Sequence, residues 1–237
     1  KGRKQAMQAP QTKTSEALEE AYQQAKQLYL THTTMAELEQ AAQQFQVLGD
    51  YSRAPWYLDR CRVLRQFEVG NVVPFGTFAG KAISWRVLEQ RGKLRLLLAQ
   101  TLVAEKAYND LRILMSWKES GLRRWLNHEF LEQAFTKEER GQIIASRVHA
   151  IENPVYSTPG GQDCMDKVFI FGLEELDKYC PDAESRNMGA WWWTRTPGSN
   201  LVSAVSVDAE GAVYMPGINI NYADGGVRPA MWVLLKA

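Results

Sequence analysis

A chain of 237 residues with 45% apolar and 23% charged side chains holds enough apolar material for one sizeable core plus an appendage. Its 28 Lys and Arg against 27 Asp and Glu leave a formal charge of +1, so no basic field favours nucleic acid, and no apolar run approaches the roughly 20 residues that cross a bilayer. Cys61, Cys164 and Cys180 are widely spaced, and His32, His128 and His149 are scattered. Free thiols, no metal site and no cofactor are expected, with a Cys164–Cys180 disulfide as the alternative.

Residues 1–14 are polar, contain Pro10 and lack periodicity, which predicts a flexible N-terminus. From Ser15, a candidate N-cap, Ala17, Leu18, Ala21, Ala25, Leu28 and Tyr29 recur at helical spacing, predicting a helix to about Leu30. Thr34 and Glu37 have capping-box spacing ahead of Leu38, Ala41, Ala42, Phe45 and Leu48, and Gly49 can supply the positive φ that ends a second helix. A third is expected from Ala54 to Gln66 on Trp56, Leu58, Cys61, Val63 and Leu64. Residues 41–62, an Ala-rich helix followed by Leu-Gly-Asp-Tyr, resemble tetratricopeptide-like units. The segment 15–67 is therefore read as a small all-α helical-repeat segment, and as a spacer in preference to a peptide-binding groove.

Near Glu68 the pattern turns extended. Residues 69–78, with Gly70, Pro74 and Gly76, read as a lead-in loop and edge strand, followed by a hairpin of residues 83–88 and 94–100 about Gln90 to Lys93. Ser116 and Glu119 form a capping box for a helix buried through Leu122, Trp125, Leu126 and Phe130; Thr136 and Glu139 open another that ends near Ala145. Residues 146–166, with Pro154, Pro159 and the Gly160-Gly161 pair, read as a long loop and a second place for ligand contacts. A short strand at 167–171, helical turns at 173–179 and a loop at 181–189 lead to three tryptophans. The rest of the chain, with two alternating apolar runs, a Gly-Gly pair and a strand at 231–235, describes a β structure with decorated loops.

Five separated motifs carry a resemblance: Ile83-Ser-Trp-Arg-Val-Leu, Leu122-Arg-Arg-Trp-Leu-Asn, Asp166-Lys-Val-Phe, Trp191-Trp-Trp-Thr-Arg-Thr-Pro-Gly and Gly226-Val-Arg-Pro-Ala. In that order they resemble a bacterial domain family of unknown function, the one numbered 6273, from about Val69 to Ala237. The closing pattern of a Trp-rich strand, variable loops and Gly-x-Arg is similar to C-type-lectin-like folds of the kind shared with formylglycine-generating enzymes. The resemblance implies a fold more than an activity. The expected fold class is α+β, a C-type-lectin-like domain over residues 68–237 behind the helical segment.

Along a strand alternate side chains point to opposite faces, so Trp192 should face away from Trp191 and Trp193, and at least one face is core. An aromatic platform for a sugar or peptide is the functional alternative. Arg195 and Arg228, fixtures of the resembled family, could bind an anion; more often such an arginine holds loops by hydrogen bonds to carbonyls or a carboxylate. Trp191, Trp193, Arg195 and Arg228 are read as a structural frame. Formylglycine-type chemistry needs cysteines, but Cys164 and Cys180 lie outside the matching C-terminal motifs. No Ser/His/Asp set or phosphate-binding glycine loop is visible. Glu174, Glu175 and Asp177 read as a solvated face. Asp208, Glu210 and Asp224 could supply oxygen ligands, without a Glu-Pro-Asn motif to make them a calcium-dependent sugar site.

Residues 199–224 have no Lys, Arg or Gln, yet Leu201, Val202, Tyr214, Met215, Ile218, Ile220 and Tyr222 crowd between turn residues. Val205 and Val207 alternate as core positions of a strand. Leu201, Tyr214, Ile218, Ile220 and Tyr222 are expected to cluster on one solvent-facing surface, flanked by Asn200 and Asp224, because exposed apolar patches mark interaction sites. C-type-lectin-like proteins diversified by retroelements carry their variable residues at this position. The expected function is a non-enzymatic module that binds a protein or glycan through these loops, with a cysteine-dependent enzyme and a structural spacer of a larger surface protein as alternatives.

Overall fold

In the computed structural model, which describes residues 14–235, the chain divides between Gln66 and Phe67 into two units. The expected flexible N-terminus lies outside the described residues except for Thr14, which caps the first helix in place of Ser15: its hydroxyl accepts from the Ala17 amide at 3.4 Å. The first unit is three helices, α1 (Ser15–Thr31), α2 (Met35–Leu48) and α3 (Ala54–Arg65). Thr34 and Glu37 form the capping box in both directions, and Gly49 ends α2 at φ +55°. An aromatic cluster fills the centre, with Phe45 stacked on Tyr57 at 4.9 Å and Tyr29 edge-on to Tyr57 at 5.1 Å. The buried stripe of α3 is Ala54, Tyr57, Cys61 and Leu64, whereas Trp56 and Val63, expected inside, are exposed. Helical periodicity selects the first four, and Trp56 instead lies beneath the Arg53 guanidinium at 4.4 Å.

The second unit opens as an antiparallel meander, β1 (Val72–Phe78), β2 (Lys81–Arg91) and β3 (Leu94–Ala99). The two-residue β2–β3 turn is Gly92-Lys93, with Gly92 at φ +56°. After a short β4 (Ala104–Glu105), α4 (Gly121–Trp125) runs through a π turn (Leu126–Phe130) into α5 (Leu131–Ala134). Ser120, rather than Ser116, caps α4, accepting from the Arg123 amide at 3.1 Å. The helix expected to reach Ala145 is only α6 (Lys137–Arg140), because residues 143–144 are taken up as strand β5 (Ile143–Ile144). The expected loop at 146–166 contains a paired β6 (Ser146–Val148) and β7 (Cys164–Asp166). Next come β8 (Val168–Ile170), α7 (Leu173–Tyr179) and α8 (Ala183–Arg186). The closing β structure is β9 (Trp192–Pro197), β10 (Ser203–Val207), β11 (Val213–Asn219), β12 (Gly226–Val227) and β13 (Pro229–Leu234).

The fold class is α+β. One sheet has the order β1-β2-β3-β13-β5, with β8 also on β13, and is antiparallel throughout; a second has the order β11-β10-β9-β12-β4. β13 sits inside the first sheet: Met231 pairs with Leu97 on one side and Val168 on the other, and Trp232 pairs with Leu96 and Ile144. Ala230, Met231 and Val233 are accordingly fully buried. Among the described residues no helix is long and apolar enough to cross a membrane.

Helix α7 is tied to β2 by Glu89, which accepts from Lys178 Nζ at 2.7 Å, from the Tyr179 hydroxyl and from Arg91. Burial pushes the Glu89 carboxyl up, but these three donors outweigh it and hold it at about 2, below the ordinary 4.5. A depressed carboxylate stabilises the fold above its unfolded value and loses that contribution as pH falls through the folded value. Glu89→Gln should therefore cost about 1–2 kcal/mol at neutral pH. Urea unfolding followed by tryptophan fluorescence should show this difference shrinking between pH 4.5 and pH 2.

Candidate functional site

The three tryptophans are bolts and not a platform. Trp192 and Trp193 are fully buried and only Trp191 keeps part of its surface. As strand alternation requires, Trp191 and Trp193 share a face, edge-on at 4.8 Å, while Trp192 lies 5.3 Å from the Arg228 guanidinium. Each indole N–H finds an acceptor: Trp193 donates to the Lys106 carbonyl at 2.8 Å, Trp192 to the Arg186 carbonyl at 3.0 Å and Trp191 to Asp224 Oδ2 at 3.4 Å. The Gly225-Gly226 pair passes so close that a Cβ on Gly225 would collide with the Trp193 indole.

Arg195 and Arg228 are both 4% exposed. Arg195 donates to the His149 carbonyl at 3.2 Å, the Ile170 carbonyl at 3.0 Å and Glu175 Oε1 at 2.7 Å. Glu175 thus leaves the solvated face on which it was expected and serves as the counter-ion of Arg195; Glu174 and Asp177 stay exposed. Arg228 donates to the carbonyls of Ala99 and Ser185, both at 3.1 Å. Both arginines join the ends of segments distant in sequence.

On this frame the loops are bonded to one another by backbone. Ser199 N–H donates to the Pro216 carbonyl at 2.8 Å and Ile220 N–H to the Val202 carbonyl at 3.2 Å. The loop after β4 joins them, with Asn109 N–H donating to the Ile220 carbonyl and Met115 N–H to the Leu201 carbonyl, each at 2.9 Å. A third loop is clasped by Asn153, fully buried. Its amide donates to the carbonyls of Pro197 and Met215 at 2.9 Å, while its oxygen accepts from Val155 N–H at 3.0 Å and Tyr156 N–H at 3.2 Å.

Of the residues expected to form the apolar surface, Tyr214 and Tyr222 are half exposed, Leu201 and Ile218 are partly covered, and Asn200 and Asp224 are exposed. Ile220, expected among them, is buried instead. It is 1% exposed, because it sits where two loops meet and both its backbone groups are bonded there. Leu111, Ile113, Leu114, Val155 and Tyr156, none of them expected, add exposed apolar surface on the two neighbouring loops. The run Leu111–Met115, apolar but for Arg112 and set between Asp110 and Ser116, is the signal that could have found the first three.

Asp208 closes its own turn by accepting from the amides of Glu210 and Ala212, and Asp224 takes Trp191, so the three candidate oxygen donors do not converge. Among the described residues no group of three His, Cys, Asp or Glu could hold a metal ion. All three cysteines are free and buried. Burial, reinforced by neighbouring Asp166, pushes the Cys164 thiol up to about 11, and burial also raises Cys180. The loop between β6 and β7 borders an open cavity of about 650 Å³ lined by His149, Glu152, Gly160, Asp163 and Glu174. Asp163 is occupied there in closing the loop, accepting from Ala150 N–H at 2.9 Å, Arg147 Nε at 2.9 Å and His149 Nδ1 at 3.1 Å.

Asn153→Ala should remove the donor shared by the Pro197 and Met215 carbonyls and cost about 1–3 kcal/mol in urea unfolding. Asn153→Asp keeps the acceptor but not the donor, so it should be no milder. Limited proteolysis should then cut both variants faster than the parent chain within residues 153–158 and 199–202.

The chain matches the family model described as Domain of unknown function (DUF6273) over residues 93–235. The motif at residues 83–88 lies outside that match, and the four later motifs lie within it. No curated protein and no solved structure matches the chain. With more than half of its length matched, the chain belongs to the family Domain of unknown function (DUF6273).

Proposed function

We propose that residues 67–235 form a C-type-lectin-like binding module that presents its loop face to a protein partner without catalysing a reaction. The observation that carries this reading is the set of exposed apolar side chains on loops whose backbones are hydrogen-bonded together, Leu111, Ile113 and Leu114, Val155 and Tyr156, and Tyr222, with Tyr214 added from the edge strand β11. Apolar surface held in place is the usual mark of an interaction site, since little ordering entropy remains to be lost on binding. Aliphatic side chains with tyrosines suit a protein surface better than a glycan, which asks for convergent polar groups around an aromatic face. The lectin-like part of the reading is supported by the closing strand β13, which returns to pair with β3 of the opening hairpin while a second sheet carries the loops.

A cysteine-dependent enzyme would need a thiolate within reach of substrate, and buried Cys164 and Cys180 with raised pKa values favour the binding reading. The tetratricopeptide-like helices act in this account as a spacer. Exposed residues of the segment 199–224 between two rigid frames also support diversification by a retroelement, which requires an adenine-rich near-copy of the segment beside the gene. A gene neighbourhood without such a copy ends that part of the reading.

Probing arrays of surface proteins and of glycans with the chain tests the main proposal. The expected result is a protein partner whose binding weakens about tenfold in Tyr222→Ala or Leu114→Ala at unchanged melting temperature. Binding to glycans alone, or protein binding indifferent to both substitutions, contradicts it.

A further inference from the structure

Buried Arg195 is neutralised by Glu175, and partly buried Arg123 by Asp166 at 2.7 Å. Arg228 is as buried as Arg195, and none of the ion pairs among the described residues includes it. Its neighbours are two backbone carbonyls, the face of Trp192 and the Cys180 thiol. Burial pulls its guanidinium below the ordinary value, and the nearby charge of Arg86 acts in the same direction. A second cation thus stands beside a buried one where a counter-ion is called for.

Strand alternation brings Arg86 there. Ile83, Trp85 and Val87 of β2 point into the core, leaving Ser84, Arg86 and Leu88 on the other face, with Arg86 paired across to Leu98 of β3. The Gln100 carboxamide, turned with its oxygen toward Arg86, accepts from Nε at 2.9 Å and Nη2 at 3.1 Å and holds the side chain in place. Residues 179–188 wall off a cavity of about 530 Å³ into which both arginines face, with Leu88, Leu98 and Met188 as apolar lining. Asp182 and Glu184 also border it, but Asp182 is engaged in capping α8 through the Ser185 amide at 2.8 Å, and neither pairs with an arginine.

We propose that this cavity is a ligand site in which Arg86 and Arg228 hold the carboxylate or phosphate of a small organic anion, whose apolar body lies against Leu88, Leu98 and Met188. A volume of this size suits a small molecule rather than a bare ion, and two guanidiniums presenting several N–H donors match the oxygens of either head group. The site shares no residue with the loop face and stands or falls independently of the protein-binding proposal.

Phenyl phosphate and benzoate are the probes, each titrated calorimetrically into the full chain at fixed ionic strength, with chloride as the control. The expected result is saturable binding of at least one of them, and which one binds identifies the head group. Exposed Arg86→Gln should fold normally and weaken binding about tenfold, the cost of one charge-assisted contact. Arg147→Gln, which removes a positive charge from strand β6, outside the lining of this cavity, should leave it unchanged. Failure of both probes to bind, or equal weakening by Arg86→Gln and Arg147→Gln, overturns the proposal.

Discussion

The second unit depends on one crossing of the chain. Residues 226–227 lie in the loop-bearing sheet as β12, and two residues later the chain is in the first sheet as β13, where it pairs with β3, β5 and β8. Arg228 stands at the crossing and reaches back to the Ala99 carbonyl at the end of β3 and to Ser185 just after the α8 cap. The first sheet therefore has no centre until the last residues of the domain are in place. Contacts of such sequence separation pay their loop-closure entropy before they are rewarded, a cost that slows the folding of such topologies in general. The same crossing brings β12 alongside β9 and requires the glycine pair at 225–226, since the Trp191 and Trp193 indoles occupy the space a side chain would need at 225, and the Leu102 side chain and the Trp191 carbonyl the space at 226.

The loop face is held by bonds of its own. A buried loop must satisfy its backbone groups, and here it does so with neighbouring loops and with clasping asparagines. Asn109, Asn127 and Asn153 each use both ends of the carboxamide: Asn127, for example, accepts from the Lys167 amide at 2.8 Å and donates to the Val168 carbonyl at 2.8 Å. Polar groups thus hold the backbone while apolar side chains are left to face outward. The frame arginines divide by the same logic: Arg195 is closed off by its own carboxylate, whereas Arg228 has its carbonyl contacts without one.

What was legible in the sequence was local. Capping boxes at Thr34 and Thr136 and the alternation of β2 are patterns within a few residues, and the structure contains each of them. Trp191 to Trp193 alternate as a strand must, although alternation could not say that both faces of β9 are covered. Strands of two or three residues such as β5, β6 and β7 are too short to carry a period: β5 exists because β13 is there to pair with it, and β6 and β7 because they pair with each other, whereas β8 shows as the short apolar run at 167–171. Glu175 read as solvated because its partner lies 20 residues away on another element. Ile220 looked like its exposed neighbours in composition, and only the meeting of two loops at its backbone turns it inward. Asn153 stood before a proline in what read as open loop, and nothing local marks a side chain that binds carbonyls of two distant strands, β9 and β11.

Backbone hydrogen bonds between neighbouring loops hold the loop face in the free chain. Amide hydrogen exchange on the free chain reads this directly, because exchange reports local opening. The amides of Asn109, Met115, Ser199 and Ile220 should exchange on the same slow scale as those of β9, although they lie in loops. Exchange of these four at the rate of unstructured chain, with β9 still protected, would contradict it.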